Sequence, residues 1–111
     1  MIRISVKGSP DKIEGFLIRG HAGFATPGRD IVCAGVSAVA TAALLGLVKR
    51  YPEEVRWRIL EQGLIYCRLS GRLAEDGPEA RDAQVILDVM VLGLKSIQRQ
   101  YPGFIYFVFR R

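Results

Sequence analysis

From Ile31 to Val48 the chain runs without one charged residue, and this segment constrains the fold more than any other. It approaches the length of a transmembrane helix, yet it is rich in Ala and Gly and carries Ser37 and Thr41. The segments on either side alternate apolar and polar residues, as half-buried strands do, and such strands need something to pack on. We therefore expect a buried helix lying against a sheet, and no membrane partner. A helix apolar on nearly every side is also what a central helix looks like. Asp30 is a good N-cap for it, and Pro52 stops it near Arg50.

The flanking segments supply the sheet. Ile2, Ile4 and Val6 alternate with Arg3, Ser5 and Lys7, and a second run from Ile13 to Arg19 follows the turn residues Gly8-Ser9-Pro10-Asp11. Val55 to Leu60 and Leu64 to Leu69 read as two strands joined by the tight turn Glu61-Gln62-Gly63. Arg56, Arg58 and Arg68 alternate out toward water. Ala83, Ile86, Met90, Leu94 and Ile97 recur at spacings of three and four, predicting a helix from about Glu79 to Gln100. Phe104 to Phe109 closes the order β-β-α-β-β-α-β. The expected class is α+β: a mixed, mainly antiparallel sheet of about five strands with two long helices. With 111 residues the chain is expected to be one domain, 1–111. Apolar groups on both faces of the last strand suggest that the second face is covered by another copy of the chain, a homodimer.

Composition excludes more than it identifies. The net charge of +5 fits an acidic or nucleic-acid-rich neighbourhood, but charge alone leaves direct RNA binding open. One histidine and two cysteines, with no Cys-x-x-Cys, cannot assemble a tetrahedral metal set from soft ligands alone, so no metal is expected. The N-terminal residues read as a strand and not as a signal peptide, which points to a reducing, cytoplasmic compartment.

Chemistry concentrates in GHAGFATPGRDIVCAGVSA, from Gly20 to Ala38. It holds the chain's histidine, His21, at the exit of the second strand, and Cys33 in the first turn of the helix. The positive end of a helix dipole favours thiolate over thiol, and an imidazole folded close by would stabilise it further. Backbone N–H groups near the helix start are the natural donors to an oxyanion. Asp30 reads first as the helix cap, with orientation of His21 as the functional alternative. Ser37, one turn after Cys33, either bonds back to the helix or points into the site. Gly23 and Gly28 permit unusual dihedrals and would form a mobile loop between the two reactive groups. Cys67, on a strand, reads as a small buried hydrophobe.

The run Gly20-His21-Ala22, Gly28, Asp30-Ile31-Val32-Cys33-Ala34 and Val36-Ser37 resembles the ribosomal-processing cysteine proteases of bacteria. The resemblance implies a cysteine endopeptidase that removes a short N-terminal extension from a large-subunit ribosomal protein. It implies Cys33 as nucleophile, His21 as its base, Asp30 and Ser37 in support, a homodimer, a mobile loop and no cofactor. The substrate it implies is cut after an apolar, aromatic-rich segment. Two rivals come from other classes. One is a non-catalytic ribosome-associated or RNA-binding module, suggested by the basic balance and the aromatic last strand. The other is a thiol redox protein, which would want a resolving cysteine beside Cys33.

Overall fold

The computed structural model describes residues 1–26 and 29–111. Its strands are β1 (Ile2–Ser9), β2 (Lys12–Arg19), β3 (Val55–Leu60), β4 (Leu64–Leu69) and β5 (Ile105–Arg110), and its helices are α1 (Ile31–Arg50) and α2 (Pro78–Gln100). The strands form one sheet in the order β3-β4-β2-β1-β5. Every neighbouring pair is antiparallel except β1 with β5, so the sheet is mixed and mainly antiparallel, as expected. A short 3-10 turn at Gly71–Ala74, which the sequence pattern did not suggest, carries the buried Leu73 into the core.

Both helices lie on one face of the sheet. The residues that alternate toward them, Ile2, Ile4 and Val6 of β1, Phe16 and Ile18 of β2, and Ile65, Cys67 and Leu69 of β4, are all buried. Against them pack Val32, Val36, Ala40, Leu44 and Leu47 of α1 and Ala83, Leu87, Met90 and Leu94 of α2. Close approach of the helices depends on two small residues. A Cβ added to Gly93 would lie 3.1 Å from Val39 Cγ1, and one added to Gly35 would lie 3.4 Å from Ile97 Cδ1. Gln84 fastens α2 to the start of β2 like one more strand residue: its Oε1 accepts from Ile13 N–H at 2.8 Å and its Nε2 donates to Ile13 C=O at 2.7 Å.

The sequence suggested that α1 would be buried on nearly every side, and here the structure differs. With a single helical layer, α1 has one face on the core and the other open, leaving Ala38, Ala42 and Leu45 exposed. Its length and composition match those of a membrane-crossing helix. In the fold, Val32, Val36, Leu44 and Leu47 are taken by the core, while Ile31 and Leu45 stay exposed. The last strand divides its aromatics as its alternation requires. Phe107 and Phe109 turn toward the helices, where Lys95 Nζ lies 5.2 Å and 5.5 Å from their ring centres, while Tyr106 is exposed.

Candidate active site

Strand β2 sits at the centre of the sheet and delivers the chain to the site. It ends at Gly20, whose φ of +93° turns the backbone out of the strand, and Gly20 N–H donates to Gly63 C=O at 3.0 Å. That bond fastens the exit of β2 to the turn between β3 and β4. Gly63 also has a left-handed backbone, φ +88°, and the His21 ring lies directly over it. A Cβ placed there would stand 3.1 Å from His21 Cε1 and 3.3 Å from Nε2. The sequence reading took Glu61-Gln62-Gly63 as a hairpin turn only. Its role as the seat of the imidazole was missed, because no local pattern reveals which loop meets which across a sheet.

From His21 the chain crosses to α1. Asp30 caps the helix with an extended backbone, and Oδ1 accepts Cys33 N–H at 3.0 Å. Its other oxygen, Oδ2, accepts Phe24 N–H at 3.1 Å. Thus one carboxylate ties the first helical turn to the preceding loop. Its main-chain hydrogen bonds make it cap and brace, and the Cys33 thiol also reaches it. Phe24 is held from its other side by edge-on packing with Tyr101 and Phe104, ring centres 5.5 Å and 5.3 Å apart. Gly23 has φ +71°, with no atom within 4 Å of where a Cβ would be. Gly28, expected to share the loop's motion, falls outside the described residues.

Cys33 is half-buried, and its Sγ accepts a hydrogen bond from Ala22 N–H at 3.1 Å. Because Ala22 follows His21 directly, this contact brings the exit of β2 onto the sulfur. Cys33, His21, Asp30 and Gly23 all line one cleft of about 620 Å³, as does Ser37, exposed one turn further along α1. The remaining wall is mostly apolar, built from Ile2 and Ile18 of the sheet and from Ile59, Leu60 and Leu64 around the β3–β4 turn, with Glu61 and Thr41 as its polar members.

The electrostatics correct one expectation. Burial pushes the Cys33 thiol above its ordinary value, and the neighbouring Asp30 carboxylate adds to the rise, while the Ala22 N–H opposes it. Desolvation and the neighbouring anion thus work against the thiolate that the helix terminus favours. For Asp30 itself, burial favours the neutral acid. The hydrogen bonds from Cys33, Phe24 and Val32 more than offset this, and its pKa lies below the usual carboxylate value. A second expectation also changes. The donors at the helix start are already engaged: Cys33 N–H with Asp30 Oδ1, and Ala34 N–H with Asp30 C=O at 3.0 Å. The backbone N–H aimed at the sulfur is that of Ala22. Cys67 behaves as expected, buried on β4 with a thiol pushed up to about 12 by desolvation.

A thiol and an imidazole on one apolar cleft are the equipment of a thiol-dependent hydrolase, and the chain is a cysteine protease. It belongs to the cysteine protease Prp family, whose model matches residues 1–106. The chain is 38% identical to the ribosomal processing cysteine protease Prp of Bacillus subtilis, over 91% of this chain and 90% of that one. Its fold is similar to that of the essential ribosomal processing protease Prp from S. aureus in complex with a covalently linked product peptide. That similarity has a TM-score of 0.81 at 26% identity, covering 99% of this chain and 100% of the other. The same S. aureus protease in complex with a substrate peptide matches with a TM-score of 0.77 at 25% identity, over 99% and 100% of the two chains.

Proposed function

We propose that this chain is the endopeptidase that removes a short N-terminal extension from a large-subunit ribosomal protein, with Cys33 as nucleophile and His21 as its base. The observation that carries this reading is the shared cleft: Cys33 Sγ and His21 line it together, and the residue after His21 touches the sulfur. The apolar walls suit an apolar, aromatic-rich segment of substrate, whose entry would also exclude water from the sulfur.

The reaction starts from the thiol, the form that burial and the Asp30 charge favour. When substrate fills the cleft, His21 takes the thiol proton and Sγ attacks the scissile carbonyl carbon, giving a tetrahedral oxyanion. The Ala22 N–H, which contacts the sulfur at rest, is placed to donate to that oxyanion as the negative charge moves from sulfur to oxygen. Collapse breaks the C–N bond, His21 returns its proton to the leaving amine, and the acyl group stays on sulfur as a thioester. His21 then activates a water, which releases the acid and restores the thiol. Asp30 holds Cys33 and the loop in register, and Ser37 offers a hydroxyl to substrate on the same helix face.

The two free cysteines fit a reducing cytoplasm. A homodimer, expected from the sequence on the open sheet face, has a more suitable surface on the helical layer, where Val85, Val89 and Leu92 of α2 stand exposed at spacings of four and three and Leu45 of α1 is exposed too. Light scattering at working concentration should give twice the chain mass, and a monomer would remove that part of the reading. The central test is cleavage. A peptide spanning a ribosomal-protein N-terminal extension should be cut by the wild-type chain, spared after iodoacetamide treatment, and spared by Cys33→Ala, with products read by mass spectrometry. Trimming by Cys33→Ala would mean another nucleophile.

A further inference from the structure

The sheet face turned away from the helices has a composition that cleavage of a peptide does not require. Strand register sorts its outward residues into three rows running across the sheet. One row is Tyr106, Arg3, Arg19, Leu64 and Leu60. The middle row is Val108, Ser5, Leu17, Tyr66 and Arg58, and the third is Arg110, Lys7, Gly15, Arg68 and Arg56. Seven of the chain's 16 Lys and Arg residues therefore share this face, and none of its 11 Asp and Glu residues holds a place in the rows. Three like-charged pairs are directly opposed across strands: Arg3 with Arg19, Arg56 with Arg68, and Lys7 with Arg110. Such pairs are destabilising in a bare sheet. Among the described residues, none of the seven makes a salt bridge, and Arg3 instead lies over the Tyr106 ring, 5.7 Å from its centre.

We propose that this open sheet face binds RNA, with the outer rows gripping phosphates and Tyr66 and Tyr106 stacking on bases. Six of the seven cations are arginines, whose planar fork pairs with phosphate oxygens in a way lysine does not. The two basic rows flank a less charged middle row, and shallow grooves lie between them, one bounded by Arg3, Arg19, Tyr106 and Arg110 and another by Lys7, Tyr66 and Arg68. A charged backbone bound along a rail, with bases laid on aromatics between, is how open sheets hold single strands. A second copy of this chain does not fit there, because a two-fold contact would set cations against cations. An anionic bilayer fits less well, since Leu60 at one corner is the exposed aliphatic of the face, and one such side chain does not make an apolar surface to enter acyl chains. The face meets the cleft only at Leu60 and Leu64 in one corner of the first row, its seven cations lie outside the cleft lining, and RNA binding there goes beyond the proteolytic reading. It would hold the enzyme against ribosomal RNA while the cleft works on protein.

The test measures anisotropy of a short fluorescein-labelled single-stranded RNA across a salt series, alongside cleavage of the free peptide. The triple variant Arg56→Gln/Arg68→Gln/Arg110→Gln, in the row farthest from the cleft, should weaken binding roughly tenfold. It should also flatten the slope of log affinity on log salt by about two, and leave peptide cleavage unchanged. The control Lys49→Gln/Arg81→Gln/Arg99→Gln removes the same charge from the helical layer and should bind as wild type. Equal weakening by both variants would reduce the effect to net charge and overturn the proposal. So would no binding by the wild type, or binding to phosphatidylserine vesicles in place of RNA that the first triple abolishes. RNA binding that survives in a chain with no peptidase activity would sink the proteolytic reading and leave this one standing.

Discussion

Replacing Gly63 by Ala puts the seating of His21 to a quantitative test. The substitution forces an L residue to a φ of +88°, which costs about 1–2 kcal/mol. The new methyl would also stand 2.9 Å from Gly20 C=O and 3.1 Å from His21 Cε1, where ordinary carbon contacts begin near 3.5 Å. Gly20 is pinned to Gly63 by its own hydrogen bond, so the imidazole is the part free to give way, by a few tenths of an ångström. At about 5 °C per kcal/mol for a chain of this size, the melting temperature should fall by roughly 5–10 °C. Since a 1 Å misplacement costs on the order of a hundredfold in rate, kcat should fall roughly tenfold in the folded enzyme. Alkylation of Cys33 by iodoacetamide in the free enzyme should keep its rate, because the methyl does not approach the sulfur. A variant that melts early but cleaves at the wild-type rate would show that the imidazole's seat on Gly63 does not matter to catalysis. Loss of thiol reactivity in parallel would point to general collapse of the site.

Other consequences can be checked separately. Cys33→Ala should fold with an unchanged circular dichroism spectrum and lack cleavage, because one small half-buried side chain replaces another. Asp30→Asn removes the carboxylate charge beside the thiol and keeps a capping oxygen, since Asn caps about as well as Asp, so the pH profile of alkylation should shift to lower pH. Asp30 has a lowered pKa when folded, so its contribution to stability is present above the unfolded carboxylate value and is lost as pH falls through the lowered one. Acid melts of wild type and Asp30→Asn should converge there. Cys67, buried and pushed up to about 12, should stay unlabelled in the native protein at neutral pH and react only after denaturation.

Much of this could be read from the residues, and the failures have physical causes. Alternation in Ile2-Ile4-Val6 and the three–four spacing through α2 are local signals, and they set elements and faces correctly. Asp30 announced itself as a cap because an acid before an apolar helix has one strong local use. The state of Cys33 was misread because the helix-dipole argument counts one favourable field. The desolvation and the Asp30 charge that oppose it depend on packing. The helix-start donors were likewise assigned before it was known that Asp30 would occupy them. The cleft wall at Ile59–Leu64 comes from a hairpin far along the chain, and the basic character of the open sheet face emerges only once register places Arg3 opposite Arg19 and Arg56 opposite Arg68. Periodicity shows which residues point outward. It does not show which ones end up side by side.

The parallel seating of β5 beside β1 bears on when the enzyme can first work. On that side β1 stays unpaired until β5 folds against it, and Ile2, which lines the cleft, is bonded through its N–H to Phe104 C=O at 3.0 Å. Until that contact between distant parts of the chain forms, the sheet lacks one edge and the cleft lacks its support. Completion of the site is therefore a late, non-local step of folding and not a property of the stretch that carries the reactive groups.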